Sequence, residues 1–204
     1  VVAHFDSIYA LFEKEYVEPD RTRDPEKRLF PDSSLYRELQ AAAIVIENNT
    51  GAIRAMVGGL DFNQSKFNRA TQSLRQPGSA FKPFVYSLAM DNGASPSDSV
   101  NDQPITLPDP TDSTKTWRPE NYSKEFEGYM TMRRALYLSK NLPAIQVGMQ
   151  YGLNNLVNYA RKFGLKSRLH AVPSLAIGSV GATLMEMASA YTAFPNGGQR
   201  IDPY

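Results

Sequence analysis

The stretch Arg75-Gln76-Pro77-Gly78-Ser79-Ala80-Phe81-Lys82-Pro83 sets a hydroxyl and an amine three residues apart, just ahead of an apolar run that reaches Asp91. Side chains three apart on a helix share a face. An amine held out of water gives up its proton more readily and can then accept one from a neighbouring serine, which turns a weak nucleophile into a usable one. Pro83 has no N–H, so it fits best in a first helical turn, and the spacing predicts a helix from about Ser79 to Asp91, stopped by Asn92-Gly93. Ser79 would then face a helix terminus that favours negative charge forming at an attacked carbonyl. On spacing alone, an N-cap serine beside a solvated lysine remains an open reading.

Upstream, Ala41 to Ile46 reads as a buried strand, Asn48-Asn49-Thr50-Gly51 as a turn, and Ala52 to Val57 as a second strand, which together make a β-hairpin. Such a pair is marginal alone and calls for further strands beside it. Residues 1–38 differ in character: a short amphipathic helix is predicted over Asp6–Tyr16, and Glu18–Asp32 is a charged, proline-bearing arm or linker. Downstream, residues 94–125 read as a long irregular loop, of the kind that often forms a binding surface. Helices are predicted at about 131–139, 143–151 and 153–163, with a connector at Pro173–Gly178. A last helix, opened by a capping box at Thr183-Leu184-Met185-Glu186, is predicted to run to Phe194 before Pro195-Asn196-Gly197-Gly198.

A second motif closes the segment 131–139: Ser139-Lys140-Asn141. The hydroxyl of such a triplet can relay a proton between base and leaving group, and the amide can bind a substrate carbonyl. A helix C-cap at Asn141 followed by Leu142-Pro143 is the other reading of these residues. Composition narrows the chemistry further. The 204 residues carry 22 basic and 21 acidic side chains, a balance that gives no reason to expect nucleic acid as a partner. There is no cysteine, and His4 and His170 are the only histidines, so no metal site, cofactor or Ser-His-Asp triad is expected. No apolar run approaches a membrane span.

Taken in order, the two motifs and their flanks closely resemble the bifunctional class A high-molecular-weight penicillin-binding proteins. The likeness rests on Phe67 to Gln72, Arg75 to Pro83, Trp117 to Tyr122, Ser139 to Pro143, Pro173 to Gly178, Glu186 to Tyr191 and Asn196-Gly197-Gly198, and covers about residues 39–204. It implies an α+β fold, penicillin-binding and β-lactamase-like: a five-stranded antiparallel sheet flanked by helices, plus an all-helical part, here incomplete at its C-terminal side. The implied activity is an acyl-serine D,D-transpeptidase that cross-links peptidoglycan stem peptides and is acylated by β-lactams. A D,D-carboxypeptidase of the same fold and a non-catalytic β-lactam-sensing scaffold are the alternatives.

The resemblance assigns Ser79 as nucleophile, Lys82 as base, Ser139 as relay and Asn141 as the group orienting the substrate amide. Trp117 and Tyr122 either line the cleft for the peptide stem or anchor the loop. Lys140 stands where Asp is common. The third motif of the family, Lys-Thr/Ser-Gly, does not occur, and a second fragment carrying it is expected as a partner. No Asp or Glu lies between Asn141 and Glu186, which argues against the water-activating glutamate of a class A β-lactamase. The implied location is the extracytoplasmic face of a bacterial inner membrane, reached through an anchor outside these residues. Arg133, Arg134 and His170 are expected on the surface, and Met185 and Met187 in the core.

Overall fold

The computed structural model describes residues 40–109, 112 and 114–204. The arm over 1–38, its helix at Asp6–Tyr16 and the boundary before residue 39 lie outside the described residues. The hairpin forms where the alternating apolar runs place it: β1 (Ala43–Ile46) pairs antiparallel with β2 (Ile53–Val57), Ala43 opposite Val57 and Val45 opposite Ala55. Gly51 N–H donates to the Glu47 carbonyl at 2.8 Å to close the turn. At the far end of the chain, Tyr204 bonds the same hairpin through Gly51 and Ile53, at 3.1 and 3.0 Å.

The apolar run after Pro77 forms two elements rather than one. Gly78–Phe81 is a 3₁₀ turn, and α2 (Lys82–Asp91) begins where Pro83 occupies its first turn, after the short α1 (Arg69–Gln72). Its interior face carries Phe84, Val85, Leu88 and Ala89, all buried. Phe84 sits at the centre of an aromatic group, with ring centroids 4.9 Å from Phe163, 5.3 Å from Phe81 and 5.7 Å from Tyr191. Such contacts are worth about 0.5–1.5 kcal/mol each beyond the area they bury.

The stretch 94–125 is more ordered than its polar composition suggests. Its β3 (Ser99–Asp102) pairs with β6 (Gly128–Thr131) just beyond it, and within it β4 (Leu107–Pro108) pairs with β5 (Thr116–Trp117). Val100 and Met130 face each other across the first of these ladders and are both buried. Strands this short bury two residues at most, in β3, and none in β4 or β5, so they leave little hydrophobic pattern to read.

Four helices complete the body: α3 (Met132–Tyr137), α4 (Asn141–Gln150), α5 (Leu153–Lys162) and α6 (Leu184–Tyr191), with a 3₁₀ turn at Pro173–Ile177. α2 packs against α3, α4 and α5, and this helical core holds Ile145, Val147, Leu156 and Leu175. The capping box of α6 is formed as expected, Thr183 Oγ1 accepting from Glu186 N–H and Glu186 from Thr183 N–H. That helix stops at Tyr191 rather than Phe194. Thr192 turns its hydroxyl back to the Ser189 carbonyl at 2.6 Å and accepts from Ile201 N–H at 3.0 Å, diverting the chain.

The class is therefore α+β, with antiparallel strands flanked by helices. Among the described residues the strands form three separate two-stranded ladders, and the five-stranded sheet is not assembled. A groove of about 950 Å³ runs between β1 and α6, lined by Ala42, Ile44, Ala182, Leu184, Met187 and Tyr191. It ends at Pro77 and Ala80, which flank Ser79.

Candidate active site

Two backbone ladders fix the turn that carries Ser79. Arg75 and Ala182 exchange both backbone hydrogen bonds, at 2.9 and 3.0 Å, and Gly78 N–H donates to the Gly178 carbonyl at 3.2 Å. The two glycines meet back to back. A Cβ on Gly178 would lie 2.2 Å from the Gly78 carbonyl oxygen, and its φ of +73° is one that side chains disfavour. In a 3₁₀ turn residues i and i+3 eclipse, so Ser79 and Lys82 align more closely than on an α-helix. Ser79 is exposed and makes no hydrogen bond through its side chain among the described residues. It is not an N-cap, because neither the 3₁₀ turn nor α2 has a side-chain cap bond.

Lys82 is the opposite of a solvated lysine, being 1% exposed. Its ammonium donates three hydrogen bonds, to the Ser139 carbonyl at 2.5 Å, Ser139 Oγ at 3.1 Å and Asn141 Oδ1 at 2.7 Å. Burial lowers its pKa to about 8, so about a tenth of the amine is neutral at pH 7. The surface-lysine reading of the first motif thus fails on burial. No hydrogen bond joins Lys82 to Ser79; the amine is committed to the second motif while Ser79 waits on the open side of the turn.

The second motif owes its shape to the end of α3. Ser139 N–H donates to Leu136 O at 3.0 Å and Lys140 N–H to Ala135 O at 2.9 Å, the bond pair of a Schellman motif. Its left-handed position, usually glycine, is filled by Ser139 with φ +53°. The helix stop is therefore at Ser139-Lys140, and Asn141 is not a C-cap but the first residue of α4. Asn141 donates its amide N–H to the Glu120 carbonyl at 2.8 Å, which leaves Oδ1 directed at Lys82.

Of the sequence-predicted residues, Lys82, Ser139 and Asn141 come into direct contact, and Ser79 lies one turn before Lys82. Trp117 packs half-buried against the main core from β5, whereas Tyr122 is fully exposed. Arg133, Arg134 and His170 are exposed, and Met187 packs on the core. Three residues beside the site had no reading of their own in the sequence: Asp102, Asn121 and the side chain of Lys140. Lys140 is buried and paired with Asp102 at 3.1 Å and Glu127 at 3.0 Å. Burial works against its charge, but those two carboxylates outweigh it and raise the pKa. A basic residue in the middle of the triplet thus has a buried counter-ion. Lys140 and Asn121 lay within recognised stretches, the second motif and Trp117–Tyr122, but nothing local pointed to Asp102.

Helices around a buried α2, with antiparallel strands alongside, define the fold of penicillin-binding transpeptidase domains. The crystal structure of penicillin-binding protein 1A from Haemophilus influenzae superposes with a TM-score of 0.77 and 40% identity, over 81% of this chain and 24% of that one. Penicillin-binding protein A from M. tuberculosis, solved as an imipenem acyl-enzyme complex, shares the fold at a TM-score of 0.69 and 24% identity, over 81% of this chain and 48% of its own. The family described as penicillin binding protein transpeptidase domain matches residues 41–204, and the chain belongs to it. Penicillin-binding protein 1A of Neisseria lactamica is 45% identical over 167 residues, 81% of this chain and 21% of that protein. The Pseudomonas aeruginosa protein of the same name is 45% identical over 166 residues. The chain spans about a fifth of the length of these relatives. No helix among the described residues is long and apolar enough to cross a membrane.

Proposed function

We propose that these residues are the nucleophile-bearing part of an acyl-serine D,D-transpeptidase that cross-links peptidoglycan stem peptides in the bacterial cell envelope and is acylated by β-lactams. The observation that carries this reading is the buried Lys82 amine, one turn from an exposed serine and bonded to the Ser139 and Asn141 side chains of the second motif. As an ammonium it has all three protons engaged; as an amine it has a lone pair free for the Ser79 proton.

Ser79 Oγ attacks the carbonyl carbon of the penultimate D-alanine and its proton passes to Lys82 Nζ. The peptide C–N bond breaks, and the departing amine takes a proton delivered through Ser139 Oγ. Asn141 orients the substrate amide. An amine of a second stem then attacks the ester carbonyl, the C–O bond to Ser79 breaks, and the proton the amine gives up passes through Lys82 to Ser79 Oγ, which restores the serine. A β-lactam enters the same way, but its ring nitrogen stays tethered to the acyl group. The Lys-Thr/Ser-Gly segment that the reaction needs has its seat in the groove beside β1, which opens at Pro77 and Ala80 next to the nucleophile. Residues 39–204 are on this reading the N-terminal portion of the domain, and 1–38 a linking arm.

The test is mass spectrometry of the full-length protein after exposure to benzylpenicillin. One adduct on the peptide containing Ser79, absent from Ser79→Ala, is expected; an adduct that survives the substitution overturns the assignment. Incubation of the acylated protein with stem peptide then separates amine from water as acceptor, and a product that is only hydrolysed would make the protein a carboxypeptidase.

A further inference from the structure

We infer that Asp102 and Asn121 are positioning residues for acylation, holding the triplet Ser139-Lys140-Asn141 in register with Lys82. The inference rests on the acyl-serine reading above and deepens it. Neither residue is hydrogen-bonded to Lys82 or Ser79; both act through the triplet, as one connected pair.

Asp102 ends β3 and is fully buried. Its Oδ2 accepts from Lys140 Nζ and Glu127 N–H, both at 3.1 Å, and its Oδ1 accepts from Asn121 Nδ2 at 2.6 Å. That last bond settles which way round the buried Asn121 amide stands. With its NH₂ group committed to Asp102 and to the Glu125 carbonyl at 2.9 Å, its oxygen must face the other way. There it accepts from Asn141 N–H at 2.9 Å and Leu142 N–H at 3.4 Å. Those are unpaired donors at the start of α4, whose own N-cap residue, Lys140, offers no acceptor. One carboxylate therefore grips the middle residue of the triplet directly and its last residue through an amide.

The triplet needs such a clamp. Ser139 holds a left-handed conformation, which costs a non-glycine residue about 1–2 kcal/mol and persists only where neighbours over-determine it. Both its carbonyl and its hydroxyl must face Lys82 in that conformation. If Lys140 or the start of α4 relaxed, these acceptors would shift while the helical core stayed packed.

The experiment uses the full-length protein and a fluorescent penicillin, and reads three quantities: labelling stoichiometry at saturation, the acylation rate per labelled site and the dissociation constant of the preceding noncovalent complex. Asp102→Asn keeps the shape and one acceptor for Asn121 but withdraws the charge from Lys140. It is compared with the double variant Asp102→Asn/Lys140→Met, which replaces the ion pair by a neutral pair, a change often tolerated by the fold. In both, the acylation rate is expected to fall by at least about tenfold with stoichiometry kept near one and the dissociation constant little changed, because a small misplacement of reacting groups costs rate rather than binding. A double variant that labels at the wild-type rate overturns the inference. So does a loss of stoichiometry in which the remaining sites react at the wild-type rate, since that assigns the network to stability alone. A wild-type protein that takes up no penicillin would instead sink the acyl-serine reading itself.

Discussion

Lys82 carries the sharpest consequence at the scale of single residues. Its pKa, lowered by burial to about 8, lies within reach of ordinary assay conditions. If its neutral amine is the base, the acylation rate constant should rise about tenfold between pH 7 and pH 9 and level off above, following the deprotonated fraction of a group with that pKa. Stopped-flow acylation across that range checks this, and a flat profile would remove Lys82 as base. The stability sign is opposite to that of a salt-bridged lysine. A folded-state pKa below the unfolded value means the unfolded chain binds more protons between about pH 8 and 10.5, so burying Lys82 costs most below pH 8 and the cost fades as pH rises through that window. Ser139 offers a complementary test. Glycine suits its left-handed position better, so Ser139→Gly is expected to leave the melting temperature unchanged or raise it, by up to about 1 kcal/mol of stability. If the Ser139 hydroxyl is the proton relay, as proposed, acylation should fall by about a hundredfold or more without it. The two motifs were legible as motifs because their chemistry follows from residue type and spacing. What spacing could not show was that Lys82 turns towards Ser139 and Asn141 and not towards Ser79, since those partners lie 57 and 59 residues away in sequence.

Among the elements, α6 and the turn under Ser79 test different things. The capping box at Thr183 was legible because both halves of it are local. The further role of Glu186 was not: its carboxylate also accepts from Lys166 N–H and Ser167 N–H, each at 2.7 Å, and from Ser167 Oγ at 2.6 Å, stitching α6 to a loop twenty residues earlier. Burial acts to raise its pKa, but the Ser167 and backbone bonds win and lower it. Stability from Glu186 is therefore present above the ordinary carboxylate pKa and lost as acid titrates the folded-state group. Glu186→Ala is expected to destabilise by about 1–3 kcal/mol, more than the roughly 1 kcal/mol of Thr183→Ala, because it also strands backbone donors. Denaturant titration of the two variants decides it. Gly178→Ala should act on the candidate site as well as the fold, since its Cβ would displace the Gly78 carbonyl in the turn that carries Ser79. Both stability and acylation should drop, stability by more than about 1 kcal/mol. The strands β3 to β6 escaped the sequence for a different reason. Their pairing is set by a few buried cross-strand contacts, Val100 with Met130 foremost; β3 to β5 lie in a stretch rich in Pro, Ser, Asp and Thr that reads locally as loop, and β6 is four residues directly before a helix.

For the molecule as a whole, the unequal packing of its two sides matters most. The helical side is well filled, with Phe81, Phe84, Ile145, Leu156 and Leu175 fully buried. Along the hairpin, by contrast, Val45, Met56 and Val57 are each 43–54% exposed, and the groove between β1 and α6 is lined mainly by apolar side chains. A two-stranded hairpin has little independent stability in water, and an open apolar groove along a strand edge is a place where further strands pair and cover. Residues 1–204 expressed alone should therefore hold the helical core while β1 and β2 exchange their amide hydrogens readily, and should acylate poorly. If Lys-Thr/Ser-Gly strands occupy the groove in the full-length protein, as proposed, β1 amides should be strongly protected there. Adding the remainder of the domain in trans should restore both protection and acylation, because packing contacts hold a fold across a break in the chain. Hydrogen exchange and penicillin labelling on the three samples measure this directly. Should residues 1–204 alone protect β1 fully and acylate at the full-length rate, the groove would be no strand seat, and the site formed by Ser79, Lys82, Ser139 and Asn141 would be sufficient by itself.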